Sequence, residues 1–458
     1  MSRLIADVCV VGGGPAGASA ARRLAGLGYR VCLVERGGTK APVGESLGPA
    51  ITPLLKELGV FDDIQHAGFI RCEGTQLHWS AAGEQLQPGR AAVIVERRRF
   101  DRMLLDAAWR TGTVVLSEAR ARAPARHLAG WSVPVETRKG PVSIEASFLV
   151  DARGKRAALP ANGAATAALC GRFREVELSG APHMRVEACR DAWLWGAPLP
   201  DGSFAVVAFV ATDKCLGIGS AERTRLYRAL LAQSELFQAC HAGVMIGDVV
   251  VRDATPRRDD DPVGGNVIKV GDRALSLDPV SSQGVQSALR SGLQAAAVVH
   301  TILSGGDAGA ALEFYRNTQR EAARLHGRLT REVYATQTLH DAPFWRARAT
   351  AADTPRPQEA DAVVSPAQTQ LRLSADARIL PMPVIEGDVI SRRAALLHPG
   401  LEQPIAWLDG IELAAALAMI DAPRRAADIL SDWSGQMRPD SAERLLGWMI
   451  RRGILVGA

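Results

Sequence analysis

Ile5 to Gly17 reads I-A-D-V-C-V-V-G-G-G-P-A-G, and Glu35 closes the next apolar run. Ile5–Val11 is rich in β-branched residues, the pattern of a strand buried in a parallel sheet. Gly12, Gly14 and Gly17 then fall at G-x-G-x-x-G spacing. Such glycines allow the tight turn, the close approach of backbone to phosphate and the packing of helix on strand. Ala18–Leu27 is the expected helix, with its N-terminus facing a pyrophosphate. Tyr29–Val34 is the second strand, and Glu35 stands where a ribose 2′-hydroxyl partner is expected. An acid there disfavours a 2′-phosphate, so NADP does not suit this site, whereas FAD and NAD both do. Gly12, Gly14, Pro15, Ala16, Gly17, Glu35 and the following Arg36 are the first candidate cofactor ligands.

The chain of 458 residues is long enough for more than one domain. At 47% hydrophobic and 22% charged it has an ordinary globular composition. A net charge of +5 is too small for this length to argue for nucleic acid. Seven cysteines stand singly with no C-x-x-C, which predicts reduced thiols of a cytoplasmic protein and no metal site. The first strand begins almost at Met1, leaving no room for a signal peptide, and no apolar run reaches transmembrane length.

Further along, a Gly/Pro-punctuated loop carries Gly44, Glu45 and Ser46, and Ala50–Leu58 is helical. Thr75–Ser80 should open a second sheet. Val93–Phe100 is expected as a strand running into a helix over Asp101–Thr111, with Asp101 as its cap and Arg97 at the strand end facing the nucleotide. Val142–Val150 is a strand ending at Asp151 in D-A-R-G, which adds Asp151 and Gly154 to the cofactor candidates. Short alternating strands from about Phe173 to Val251 predict an inserted antiparallel sheet, interrupted by a helix over Ala221–Ser234. The strand Asn266–Val270 leads into Gly271-Asp272, then Asp278-Pro279 and Ser282-Gln283-Gly284-Val285, and a long helix over Val285–Leu303. The fold class is therefore α/β: a Rossmann-like domain with an inserted antiparallel sheet and a small C-terminal module. The expected nucleotide domain is discontinuous, 1–74, 91–165 and 252–348. The inserted substrate sheet takes 75–90 and 166–251, a linker 349–370, and the module 371–458.

Three short helices (Asp409–Ile420, Arg424–Trp433, Ser441–Arg452) and a closing strand give that module a winged-helix-like pattern. From Leu401 onward six arginines face eight acids, the wrong balance for a phosphate backbone. Docking of a polypeptide, or a structural lid, suits it better.

Three motifs in this order resemble those of the FAD-dependent monooxygenases and halogenases with a hydroxylase-like fold: the glycine motif with Glu35, Asp151-Ala152-Arg153-Gly154, and Gly271-Asp272 with the D-P loop ending at Gly284. The resemblance spans Met1 to about Thr336 and selects FAD over NAD. It implies that Gly271-Asp272 holds the ribityl and pyrophosphate region, that Arg97 and Ser46 face FAD, and that Pro279, Ser282, Gln283, Gly284 and Val285 line the flavin. Asp272 can accept from ribityl hydroxyls, and Gly284 lets backbone N–H groups approach a carbonyl edge.

Trp193-Leu194-Trp195-Gly196-Ala197-Pro198 matches the W-x-W-x-x-P signature of flavin halogenases, although two tryptophans spaced by two also suit plain packing on one strand face. The stretch where those enzymes carry a directing lysine reads Phe69-Ile70-Arg71-Cys72-Glu73 and has none. Direct oxygen transfer from a flavin C4a-hydroperoxide to an electron-rich aromatic ring is then the expected reaction, with NAD(P)H and O₂ as cosubstrates. No second G-x-G-x-x-G is present, so NAD(P)H should bind transiently. Arg71, His78, His183 and Glu45 are candidates for the substrate side. Within the group the chain looks most similar to the flavoprotein monooxygenases of quinone-cofactor biogenesis that mature cysteine tryptophylquinone. That similarity implies a tryptophan-bearing subunit of a quinoprotein as polypeptide substrate, with no nucleic acid and no membrane involved. A halogenase, or a flavin-binding interaction protein working through its C-terminal module, are the alternatives.

Overall fold

A computed structural model describes residues 2–37, 44–155, 159–177, 180–349, 370–401 and 403–458. It divides into two compact units, one of residues 1–296 and 326–352 and the other of 297–325 and 353–458. Most of the expected linker 349–370, and part of the loop before Gly44, lie outside the described residues.

In the first unit, β1 (Ser2–Val11) pairs in parallel with β2 (Val31–Glu35) on one side and with the strand Gly140–Asp151 on the other. Val8, Cys9 and Val10 are almost fully buried, as the apolar run requires. Helix α1 (Pro15–Gly26) starts three residues earlier than the apolar periodicity suggests, with Pro15 at its first turn. Proline fits there because the N–H it lacks would have no intrahelical acceptor. Three backbones converge at the turn. A Cβ on Gly12 would lie 2.2 Å from the Ala152 carbonyl oxygen, and one on Gly17 only 1.9 Å from the Gly12 carbonyl oxygen. Both positions are closed to any side chain.

The central strand ends at Asp151, whose buried carboxylate receives Arg153 at 2.6 Å and Arg273 at 3.0 Å. Arg273 also pairs with Asp259, which holds Lys269 at 2.8 Å. The strand end is thus riveted to the Gly271–Arg273 turn. Burial opposes the charge of Asp151, but the two arginines outweigh it and hold its carboxyl below the usual carboxylate range.

The second sheet has nine strands and is antiparallel except where His183–Cys189 runs parallel to Ile70–His78. It starts earlier than Thr75, because Gly44–Leu47, Ile70–His78 and Glu84–Glu96 all belong to it. It also includes Thr166–Arg174, inside the expected range 166–251 although the alternating pattern is clear only from about Phe173. In the strand Ala192–Pro198 every second residue faces the same way. Ala192 and Leu194 pack under the helix Ser220–Leu231 with Tyr227 and Leu230, whereas Trp193, Trp195 and Ala197 face the opposite side. One face of the sheet is thereby spent on core alone, while the other is both core and cavity wall.

Arg97 proves to be the first residue of a helix, Arg97–Arg110, not the end of a strand. The cause is visible in the pairing: Arg97 reaches Asp101 one helical turn on, so Asp101 braces the first turn from inside instead of capping it.

The second unit carries the C-terminal residues as an α+β, winged-helix-like arrangement. Helices Leu413–Ala418, Ala426–Ser434 and Pro439–Arg451 pack around the fully buried Trp433, and Leu455–Gly457 closes a three-stranded sheet. The first helix is shorter than expected because Asp409-Gly410 makes a hairpin turn, with Asp409 at φ 49°. Asp-Gly favours such turns over helix. Among the described residues no helix is long and apolar enough to cross a membrane, and all seven cysteines are free thiols.

Two predictions follow from the packing. A Cβ on Gly292, in the helix Gly284–Leu303, would lie 2.3 Å from the Ala16 carbonyl oxygen, so Gly292→Val should cost at least about 1–3 kcal/mol in urea unfolding; a wild-type midpoint would refute the close approach. Asp151 contributes its stability above the ordinary carboxylate value near 3.9 and loses it as pH falls through its depressed folded value. Asp151→Asn should therefore cost up to about 3–5 kcal/mol at neutral pH. The gap between the variant and wild type should narrow below about pH 4, and a gap independent of pH would contradict the ion cluster.

Candidate functional site

One cavity of about 1220 Å³ runs through the first unit. It exceeds the roughly 300–1,000 Å³ of a single-ligand pocket, which leaves room for an extended cofactor and a second molecule. The glycine turn, Glu35, Arg36 and Arg120 line it on one side. The Gly271-Asp272 turn and the residues from Ser276 to Pro279 and Ser282 to Val285 line another. The second sheet supplies an apolar wall of Ala168, Cys170, Trp193, Trp195, Val207 and Phe209.

The end holding the glycines has the features a dinucleotide needs. A Cβ on Gly14 would meet no protein atom within 4 Å, so the backbone there is open to the cavity. The Glu35 carboxylate is fixed by the Gly13 N–H at 2.5 Å and the Gly37 N–H at 3.0 Å. Each oxygen keeps a lone pair for a hydroxyl. The start of α1 offers unpaired N–H groups and the positive end of its dipole. These residues fit the ADP half of FAD.

Nearby, Arg97 bridges Glu45 at 2.9 Å and Asp101 at 3.3 Å. Burial works against its charge, but the two carboxylates more than compensate and keep it protonated. Past Asp278 the chain makes a tight turn, with Ser282 left-handed at φ 50° just before the helix that starts at Gly284. The buried Asp278 carboxylate accepts from the Val280 N–H and from the Tyr334 hydroxyl, both at 3.0 Å. Tyr334 in turn accepts from the Trp193 indole N–H at 3.2 Å. Burial raises the Asp278 carboxyl above its ordinary value despite these donors. A three-member relay thus links the D-P loop to the first tryptophan of W-x-W-x-x-P. Trp193 also stacks on Phe209, with centroids 3.9 Å apart, and meets Trp79 edge-on.

Of the residues expected at a cofactor, Gly12, Gly14, Pro15, Ala16, Gly17, Glu35, Arg36, Ser46, Arg97, Gly154, Gly271, Asp272, Pro279, Gly284 and Val285 all line this cavity. Asp151 does not, since its carboxylate is spent on Arg153 and Arg273. On the substrate side Ser282, Gln283 and Glu45 line it, whereas Arg71, His78 and His183 do not. Arg71 is exposed and bonded to Gln65. His78 faces Glu187 at 3.5 Å at the far end of its strand. No cluster suited to a metal occurs among the described residues.

Sequence reasoning missed Lys155, Arg252 and Tyr334. Lys155 lines the cavity and donates to the carbonyls of Asp253 at 3.2 Å and Thr255 at 2.9 Å. Burial lowers its pKa against the pull of Asp272 and Asp253. It directly follows the D-A-R-G motif, so its place at the cavity was readable. The search for a lysine confined to 69–73 was too narrow, and the cavity does contain an ammonium. Arg252 and Tyr334 sit in no motif.

Residues 5–167 match the FAD binding domain family. A tryptophan 2-halogenase of Chondromyces crocatus is 26% identical over 74% of this chain and 70% of its own length. The solved structure of the peptidyl tryptophan dihydroxylase QhpG, essential for tryptophylquinone cofactor biogenesis, is 25% identical with a TM-score of 0.75, covering 98% of this chain and 99% of that one. The flavin-dependent halogenase CmlS, at 19% identity and a TM-score of 0.80, covers 100% and 96% and shares the fold. Residues 5–167 thus match an FAD binding domain, in a chain that resembles the FAD-dependent monooxygenases and halogenases over most of its length.

Proposed function

We propose that the chain is an FAD-dependent monooxygenase that hydroxylates a tryptophan side chain of a polypeptide in quinone-cofactor biogenesis, using NAD(P)H and O₂ in the cytoplasm. One observation carries this reading. A single cavity joins the glycine turn and the D-P loop to a wall of Trp193, Trp195 and Phe209. The likeness to a peptidyl tryptophan dihydroxylase over nearly the whole chain supports it.

Gly12 to Gly17 and Glu35 would hold the ADP half, Asp272 the ribityl chain, and Pro279 to Val285 the flavin face. Bound FAD, reduced by the nicotinamide coenzyme, would supply oxygen in a form that an electron-rich ring can attack. The remaining work is the protein's own. The apolar wall excludes water, which keeps the activated oxygen for the ring, and it presents flat faces against which an indole stacks. Indole is itself nucleophilic, so the first attack needs no strong base, in keeping with the absence of His78 and His183 from the cavity. The glycine turn with the D-A-R-G and D-P segments would hold the cofactor, the second sheet, from Gly44–Leu47 to Val250–Asp253, would form the substrate wall, and residues 371–458 would dock the polypeptide.

Lys155 favours a second reading, because two of its three N–H donors are taken by carbonyls and the third is left for an anion or a hypohalous acid. The two readings separate in one assay. The FAD-loaded protein, with NAD(P)H and a tryptophan-containing peptide, should consume O₂ and add one or two oxygen atoms to the peptide, with or without chloride or bromide. Halide-dependent halogenation that Lys155→Met abolishes would establish the halogenase instead.

The relay makes a further prediction. Tyr334→Phe keeps the ring beside Trp79 and Trp345 but strips Trp193 and Asp278 of their shared partner, at a cost of about 1–3 kcal/mol. Urea unfolding of the FAD-loaded variant measures this, and an unchanged midpoint would show that the hydroxyl is dispensable.

A further inference from the structure

The apolar wall has an order fixed by strand register. Trp193 lies opposite Phe209, Phe209 opposite Ala168, and Ala168 opposite Arg252, on four adjacent strands. All four residues line the cavity. Cross-strand neighbours share a face, so this row reads ring, ring, notch, cation. Ala168 has only a methyl group, and neighbouring strands stand about 4.7–4.9 Å apart, so Phe209 and Arg252 flank a gap of about 10 Å between their strands. The next row runs Trp195, Val207, Cys170 and Val250, apolar throughout and without a cation.

Arg252 is exposed and has no hydrogen-bond or ion-pair partner among the described residues. Its neighbour Asp253 does not neutralise it, because that carboxylate accepts from the Thr255 N–H at 2.9 Å and from Arg257 at 3.2 Å. Arg252 is close enough to the Cys170 thiol to oppose the rise that burial causes there, to about 11. A guanidinium beside an apolar notch, with its charge unspent, is suited to a carboxylate that arrives attached to an apolar group.

We infer that the cavity selects an anionic aromatic substrate, whose ring sits over the Ala168–Cys170 notch beside Phe209 and whose carboxylate is bound by Arg252. This rests on the aromatic-oxygenation reading and sharpens it. A tryptophan with an acidic residue next to it in the polypeptide, or a free indole acid, would satisfy the same chemistry.

The FAD-loaded protein tests this with four probes, titrated by the change in flavin absorption and assayed for O₂ uptake and ring hydroxylation. The probes are indole-3-propionate, its neutral amide, a short peptide with aspartate beside tryptophan, and the asparagine counterpart. Wild type should bind at least one acid about tenfold or more tightly than its neutral partner, as loss of one charge-assisted contact predicts. The propionate pair and the peptide pair tell a free acid from a polypeptide. Arg252→Met should erase the preference while leaving the neutral probe's affinity unchanged, and Arg252→Lys should restore part of it. Equal binding of acid and neutral probes by wild type, absence of acid binding, or an equal loss for both in Arg252→Met would overturn the inference. So would loss of FAD from Arg252→Met, which would assign Arg252 to the cofactor. Binding with an Arg252-dependent preference but no oxygen transfer would uphold the anion site and sink the monooxygenase reading. Equal oxygenation and binding of both probes would do the reverse.

Discussion

Everything in the first unit depends on a backbone crossing with no room for a side chain. The Gly12 position is closed by the Ala152 carbonyl, and the Gly17 position by the carbonyl of Gly12 itself. That contact brings the ends of β1 and the strand Gly140–Asp151 together under the start of α1. Gly14, one step along, is open instead, so the same turn that packs tightly inward stays bare toward the cavity. The requirement is steric, and so it forces glycine at positions a reader of the sequence can count. This is why the nucleotide end was legible residue by residue.

The ion cluster around Asp151 adjoins that crossing, one residue before Ala152. Aspartate at a strand end beside a cofactor motif invites a ligand role, yet here the carboxylate is consumed by Arg153 and Arg273. Its effect on the cavity is indirect, through the position it imposes on the Gly271-Asp272 turn. Arg273 lies in sequence within the motif that was read as cofactor-facing, but the charge of Asp259 and Asp151 turns it away into the fold. Spacing identified the turn; only the three-dimensional charge balance says which of its side chains faces outward.

The reaction end was less legible for a related reason. A sheet row such as Trp193, Phe209, Ala168 and Arg252 is written across four separate segments, and its order depends on register, which no local pattern states. The sequence showed the two tryptophans at a spacing of two, a pattern equally suited to packing and to lining a site. Both descriptions hold, because one strand face is simultaneously core and cavity wall. Tyr334 was harder still. It sits near the end of a long helix, 56 residues from Asp278 and 141 from Trp193, and contributes a hydroxyl that joins the two.

A directing ammonium is a chemical requirement, but its position in a chain is not. The strand near Arg71 carries none, and the cavity receives its ammonium from Lys155 instead. What distinguishes the two chemistries is then the state of that ammonium. With two carbonyls accepting from it, Lys155 joins the D-A-R-G turn to the second sheet. Each donor given to a carbonyl is unavailable to a ligand, and one of the three remains. The geometry of one side chain, more than its presence or absence, is what separates the oxygen-transfer reading from the halogenation reading.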